Sequence, residues 1–176
     1  VTDSIALTTE ELRAVTRFAT NCAREVLAVF ENDHPLDGRP RAAIRSAQDF
    51  VDGGRRTRFM RISAFAANTA ATEATTTAAA HAARSAGHAA AAAYLHPLTN
   101  GHQVKHILGS AGHAARAAEL AYPGLFDATR NLRTATEQAT STVVSVLKRY
   151  PPAPSGGGRV GELVRELDSA LRARSL

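Results

Sequence analysis

Apolar residues recur along this chain at steps of three and four, the repeat of an α-helix, and no stretch sustains the alternation of a strand. Thr8-Thr9-Glu10-Glu11 reads as a capping box and predicts a first helix running to about Glu31, with Leu12, Val15, Ala19, Cys22, Val26, Val29 and Phe30 on its buried face. Asp33 to Gly38 is rich in turn formers, Pro40 suits the first turn of a second helix, and Gly53-Gly54 ends it. A third helical segment opens at Arg55, with Phe59, Ile62 and Phe65 as its apolar steps. Thr75-Thr76-Thr77 predicts a break and a new N-cap, because clustered hydroxyl residues favour caps over helix interiors.

A fourth helix is expected from Thr77 to Leu95, a turn from His96 to Gly101, and a fifth helix from His102 to Tyr122. A single sixth helix should span Asp127 to Tyr150, with Val143, Val146 and Leu147 facing the core. The Pro- and Gly-rich run 151–158 reads as a linker. After it, Val160, Leu163, Val164, Leu167 and Leu171 mark an amphipathic helix over 159–176, which docks either on the bundle or on a second copy. The expected fold class is therefore all-α, a compact bundle of about seven helices built from antiparallel hairpins, with 1–150 as its body.

Composition changes the picture in one respect. The chain is 44% hydrophobic but only 5% aromatic and has no tryptophan, so its core must come from close approach of alanine-faced helices rather than from large rings. The formal charge is +5 and arginine dominates the cations, which suits an acidic protein partner and leaves nucleic acid as a weaker option. Arg55, Arg56, Arg58 and Arg61 read as a solvated helix face, since no interleaved aromatic platform accompanies them. One cysteine, Cys22, excludes an internal disulfide framework and any CxxC motif, and on an apolar face it reads as a buried small residue. No run of about eighteen apolar residues exists, and Asp3, Glu10 and Glu11 stand where a signal peptide would be basic, so a cytoplasmic protein without a membrane span is expected.

Candidate chemistry concentrates in histidine. Six of the seven histidines lie between His81 and His113, and a turn at His96-Pro97 would bring His88 level with His106 and His81 level with His113. His102 and His106 have the spacing of two metal ligands on a helix, but no glutamate lies between them and Lys105 adjoins His106. At 100° per residue, Val104, Ile107, Leu108, Ala111, Ala115 and Ala118 form the apolar stripe of the fifth helix, with His102, His106 and His113 nearly opposite. His81, Arg84, Ser85 and His88 form one polar stripe on the fourth helix, expected to face water or a wet groove. Asp37, Asp49 and Asp52 are expected to pair with Arg39, Arg41 and Arg45. A nucleotide-binding phosphate loop, a Gly-x-Ser-x-Gly elbow and a Cys/His constellation are all missing.

Particular strings resemble a known family. Cys22, Phe30-Glu31 and Pro35-x-Asp37-x-Arg39-Pro40-Arg41-x-Ala43-Ile44, then Ala82 to Ala89 and Gln103 to Gly109, are similar to the bacterial Imm-5-like immunity proteins. Arg149-Tyr150-Pro151 and Gly156 to Leu163 look like an actinobacterial branch, some of whose members are labelled SbcC-type exonucleases. That label implies a coiled-coil ATPase with a phosphate loop, which these residues do not provide. Tyr94 to Gly101 forms a longer, Pro-containing turn than in shorter relatives. The resemblance implies a compact α-helical protein that neutralises a toxin by binding it, and the leading expectation is a non-enzymatic interaction protein without a cofactor. Asp37, Arg39, Arg41, Arg84, His88, Lys105 and His106 are the candidate partner-binding residues, and a homodimer is a further option. The alternative is a metal- or ligand-binding bundle holding a divalent transition metal at His81, His88, His106 and His113.

Overall fold

The computed structural model describes residues 4–124 and 128–175, and every described helix packs into one bundle. In chain order these are α1 (Thr9–Asp33), α2 (Arg39–Val51), α3 (Arg58–Glu73), α4 (Thr77–Ala91), α5 (Val104–Ala121), α6 (Ala128–Gln138), α7 (Ser141–Lys148) and α8 (Gly158–Arg172). Short 3-10 turns at Ala92–Tyr94 and Gly101–Gln103 flank the α4–α5 connection. Among the described residues no helix is long and apolar enough to cross a membrane.

The capping box forms as expected: the Glu11 amide donates to Thr8 Oγ1 at 3.1 Å and the Thr8 amide donates to Glu11 Oε2 at 2.8 Å. Glu11 also receives the Arg149 guanidinium, which ties the end of α7 to the start of α1. All the apolar positions expected on α1 are buried, Cys22 included, and burial pushes its thiol pKa far up. Asp37 pairs with Arg39 as expected, whereas Arg41 pairs with Glu31 and Asp52 accepts from Gln48.

Helix α4 lies against α1, α2, α3 and α5, and α5 is covered in turn by α1, α4, α6 and α8. Alanines 79, 82, 83, 86, 89 and 90 are fully buried on α4, so the axes approach closely. Ser85 departs from its expected place on a wet stripe. It is buried, and its hydroxyl donates to the Ser110 carbonyl at 2.8 Å, while the Ser110 hydroxyl donates to the Ala19 carbonyl at 2.7 Å. The two serines close a polar knot at the meeting of α1, α4 and α5, each hydroxyl adding a second hydrogen bond to a helix carbonyl of a neighbouring helix.

Two further expectations are corrected. On α3 the buried face is Met60, Ser63, Ala64, Ala67, Ala70 and Ala71, and Phe59, Ile62 and Phe65 point outward at 59%, 52% and 73% exposure. Two apolar stripes compete on this helix, and packing against the alanine surface of α4 selects the small one. The single sixth helix is two: Thr140 adopts an extended backbone and caps α7 by accepting from the Val143 amide at 3.4 Å. The hydroxyl run Thr140-Ser141-Thr142 breaks the helix for the same reason as Thr75-Thr76-Thr77. Asp127, the expected start of that helix, lies outside the described residues.

The expected linker is a fixed strap. The Ala153 amide donates to Asp168 at 2.9 Å, Arg165 donates to the carbonyls of Pro154 and Gly156, and Arg172 to those of Leu147 and Pro151. Asp168 is 3% exposed and paired with Arg172 at 2.7 Å, which satisfies its charge. Helix α8 docks in cis, burying Leu163, Leu167 and Leu171, and Val164 crosses α5 at Gly112 so tightly that a Cβ there would lie 2.5 Å from Val164 Cγ2.

Candidate functional site

The α4–α5 hairpin sets the histidines where the turn at Pro97 predicts. Tyr150 fastens that turn by donating its hydroxyl to the His96 carbonyl at 2.9 Å, and the Ile5 amide donates to the Pro97 carbonyl at 2.7 Å. His81 and His113 meet through their Nδ1 atoms at 2.9 Å, so one ring N–H donates to the other ring's nitrogen. His113 is sandwiched between His81 and His88, with ring centroids 5.2 and 5.1 Å away and planes 29° and 24° apart. The result is a ladder His81–His113–His88, with His106 beyond it, near enough for its charge to weigh on His88.

Burial dominates the electrostatics of the ladder. It pushes His113 down to about 2, helped by His88, His81 and Arg84, and pushes His88 down to about 4, helped by His106, Lys105 and Arg84. His81 and His106 shift the same way, burial first, then Arg84 and Arg116 for His81 and Lys105 for His106. All four rings are therefore neutral at physiological pH, and the charges around them are positive. Nδ1 of His88 and Nδ1 of His106 are buried without a hydrogen-bond partner. The rings stack by their faces instead of aiming lone pairs at one point, and among the described residues no three His, Cys, Asp or Glu side chains are grouped to hold a metal ion.

Two concavities adjoin the ladder. One, of about 520 Å³, lies between the α4–α5 hairpin and the strap leading into α8; Arg84, His102 and Lys105 line it with His81, His88 and His113. The other, of about 400 Å³, runs from Arg61, Phe65 and Asn68 of α3 across Tyr94 to His88, Lys105 and His106. At its edge the Arg61 guanidinium lies over the Tyr94 ring at 4.5 Å, and the Tyr94 hydroxyl donates to the Thr57 carbonyl at 2.8 Å.

The residues singled out for partner binding thus divide into two groups. Arg84, His88, Lys105 and His106 gather at the hairpin. Asp37, Arg39 and Arg41 lie toward the other end of α3: Arg39 bridges Asp37 at 2.6 Å and Glu73 at 2.5 Å, and Arg41 pairs with Glu31 at 2.5 Å. The Asp37–Arg39–Glu73 bridge staples the start of α2 to the end of α3, and Arg39 holds the Asp37 carboxyl below its ordinary pKa. Sequence reasoning missed the outward row Phe59, Ile62 and Phe65, for which the only signal is the presence of two apolar stripes on one helix.

Residues 6–142 match the family described as "Imm-5 like putative immunity protein", and the chain belongs to that family. No curated protein matches it, and no solved structure does.

Proposed function

We propose that this chain is a non-enzymatic immunity protein that neutralises a toxin by binding it, with the outer face of α3 and the groove beside it as the contact surface. Membership of an immunity-protein family over residues 6–142 carries the reading. Phe59, Ile62 and Phe65 are exposed at successive turns of α3 beside the exposed Arg58 and Arg61, and Lys105 lines the groove that Arg61 and Phe65 border. Exposed aromatics beside arginine are the composition of interface hot spots. The partner that fits is a toxin domain presenting acidic side chains around an apolar patch.

The test is the affinity of the purified chain for the toxin domain encoded beside its gene, with protection of cells expressing that toxin as a second readout. Phe65→Ser and Arg61→Glu should each weaken binding by about 2 kcal/mol or more, roughly thirtyfold. Arg41→Ala should change it little, because Arg41 is occupied by Glu31. Failure to bind or protect refutes the function, and binding that ignores the α3 substitutions refutes the surface.

A further inference from the structure

We propose that the cavity between the α4–α5 hairpin and the strap before α8 binds a small phosphate-bearing ligand, gripped by Arg84 and Lys105. This cavity meets the groove beside α3 at His88 and Lys105, which line both, but it opens on the strap side and does not depend on a toxin.

Among the described residues, every ionisable side chain lining the cavity is basic or histidine, and no aspartate or glutamate lines it. Arg84 is without a counter-charge there. Arg13, Arg39, Arg116, Arg165, Arg172 and Arg174 are half-buried, and each donates to a carboxylate or a backbone carbonyl. Among the described residues Arg84 alone of the half-buried arginines has no hydrogen bond or ion pair, and Lys105 across the same cavity has none either. A half-hidden guanidinium facing histidines and a second cation lacks the counter-charge that would offset its desolvation. An anion in the cavity supplies it.

The other wall is suited to the same guest. Gly156, Gly157 and Gly158 have φ of 91°, 76° and 56°, a left-handed run open to glycine, and they bring the start of α8 to the cavity. The positive end of that helix dipole adds to the sign of Arg84 and Lys105. A phosphate ester matches this set better than a carboxylate, since it carries more charge and offers three acceptor oxygens to an arginine fork, an ammonium and amides together. Val104, Val160 and Val164 provide an apolar side for the remainder of the molecule, and about 520 Å³ suits a ligand of nucleotide size.

Calorimetric titration of the intact chain at low salt with inorganic phosphate and with adenosine monophosphate tests the proposal. One site per chain is expected, with Arg84→Gln and Lys105→Gln each weakening binding about tenfold or more. Adenosine monophosphate binding more tightly than phosphate supports an ester-sized guest, and equal affinity supports the same site with the free ion as its source. No heat from either probe at about 1 mM overturns the proposal, as does binding that survives both substitutions. Lys105 is exposed, so its substitution decides the matter even if Arg84→Gln unfolds the chain.

Discussion

Replacing Gly109 by alanine tests how rigidly the histidine ladder is held. In an unobstructed helix interior this change stabilises by about 1 kcal/mol, because alanine restricts the unfolded chain and glycine does not. On α5 the new Cβ would lie 2.7 Å from Nδ1 of His88, 3.0 Å from its Cε1 and 3.2 Å from its Cγ. The imidazole cannot simply retreat, since His113 stacks on it and is itself bonded to His81. Overpacking of this kind costs about 1–3 kcal/mol, so Gly109→Ala alone should be neutral to destabilising by about 2 kcal/mol. In a His88→Ala background the obstruction is gone, and the same substitution should stabilise by about 1 kcal/mol. The coupling between the two sites is then about 1–3 kcal/mol. Urea unfolding followed by far-UV circular dichroism on the four proteins measures it, the chain having no tryptophan to report. An equal effect of Gly109→Ala in both backgrounds would refute the argument, since the ring would then be free to move aside.

Acid should loosen the same region. Burial holds His88 at about 4 and His113 at about 2, so between those values and the ordinary pKa of about 6.5 the unfolded chain binds more protons than the folded one. Stability is therefore complete above about pH 6.5 and should fall by about 1–3 kcal/mol per unit as the pH drops toward 5, and a flat urea midpoint across that range would contradict it. Leu163→Ala should cost about 2–5 kcal/mol if α8 is an integral wall of the bundle, and a loss under 1 kcal/mol by chemical unfolding would show that it is not. Ser110→Ala removes the hydroxyl that bonds the Ala19 carbonyl, which keeps its helical amide partner, and should cost about 0.5–1.5 kcal/mol, measured in the same way.

Much of the architecture could be read from residue order because α1 and α5 each carry one dominant apolar stripe, and because a capping box, Pro40, Gly53-Gly54 and the Thr75-Thr76-Thr77 run mark where α1, α2 and α4 begin or end. The hairpin was legible for a related reason: a proline turn with histidines spaced alike on both arms fixes which residues face one another, and His81 does meet His113. Side-chain size misled at α3, where bulk suggested Phe59, Ile62 and Phe65 as the core, while the neighbouring helix offered only an alanine surface to pack against. The break at Thr140 was present in the sequence but outweighed by the long apolar period through Val143, Val146 and Leu147. Polarity misled at the ladder. Phasing placed the histidines opposite the main stripe of α5, but α5 is covered by α1, α4, α6 and α8, so the side opposite its apolar stripe is another interface. The strap was opaque because its order comes from Asp168, Arg165 and Arg172, which lie a helix turn or more beyond it.

The strap and α8 lie outside the matched residues 6–142, a span that stops just inside α7. The basic cavity accordingly has one wall drawn from the part of the chain that defines the family and a second wall drawn from a tail that does not. Kinship and ligand choice are thereby uncoupled: a relative can keep every histidine of the hairpin and, with a different tail, enclose a different space. Grafting a foreign tail onto α7 would exchange that second wall while leaving the α3 face untouched, and only His88 and Lys105, which line both concavities, tie the two surfaces together.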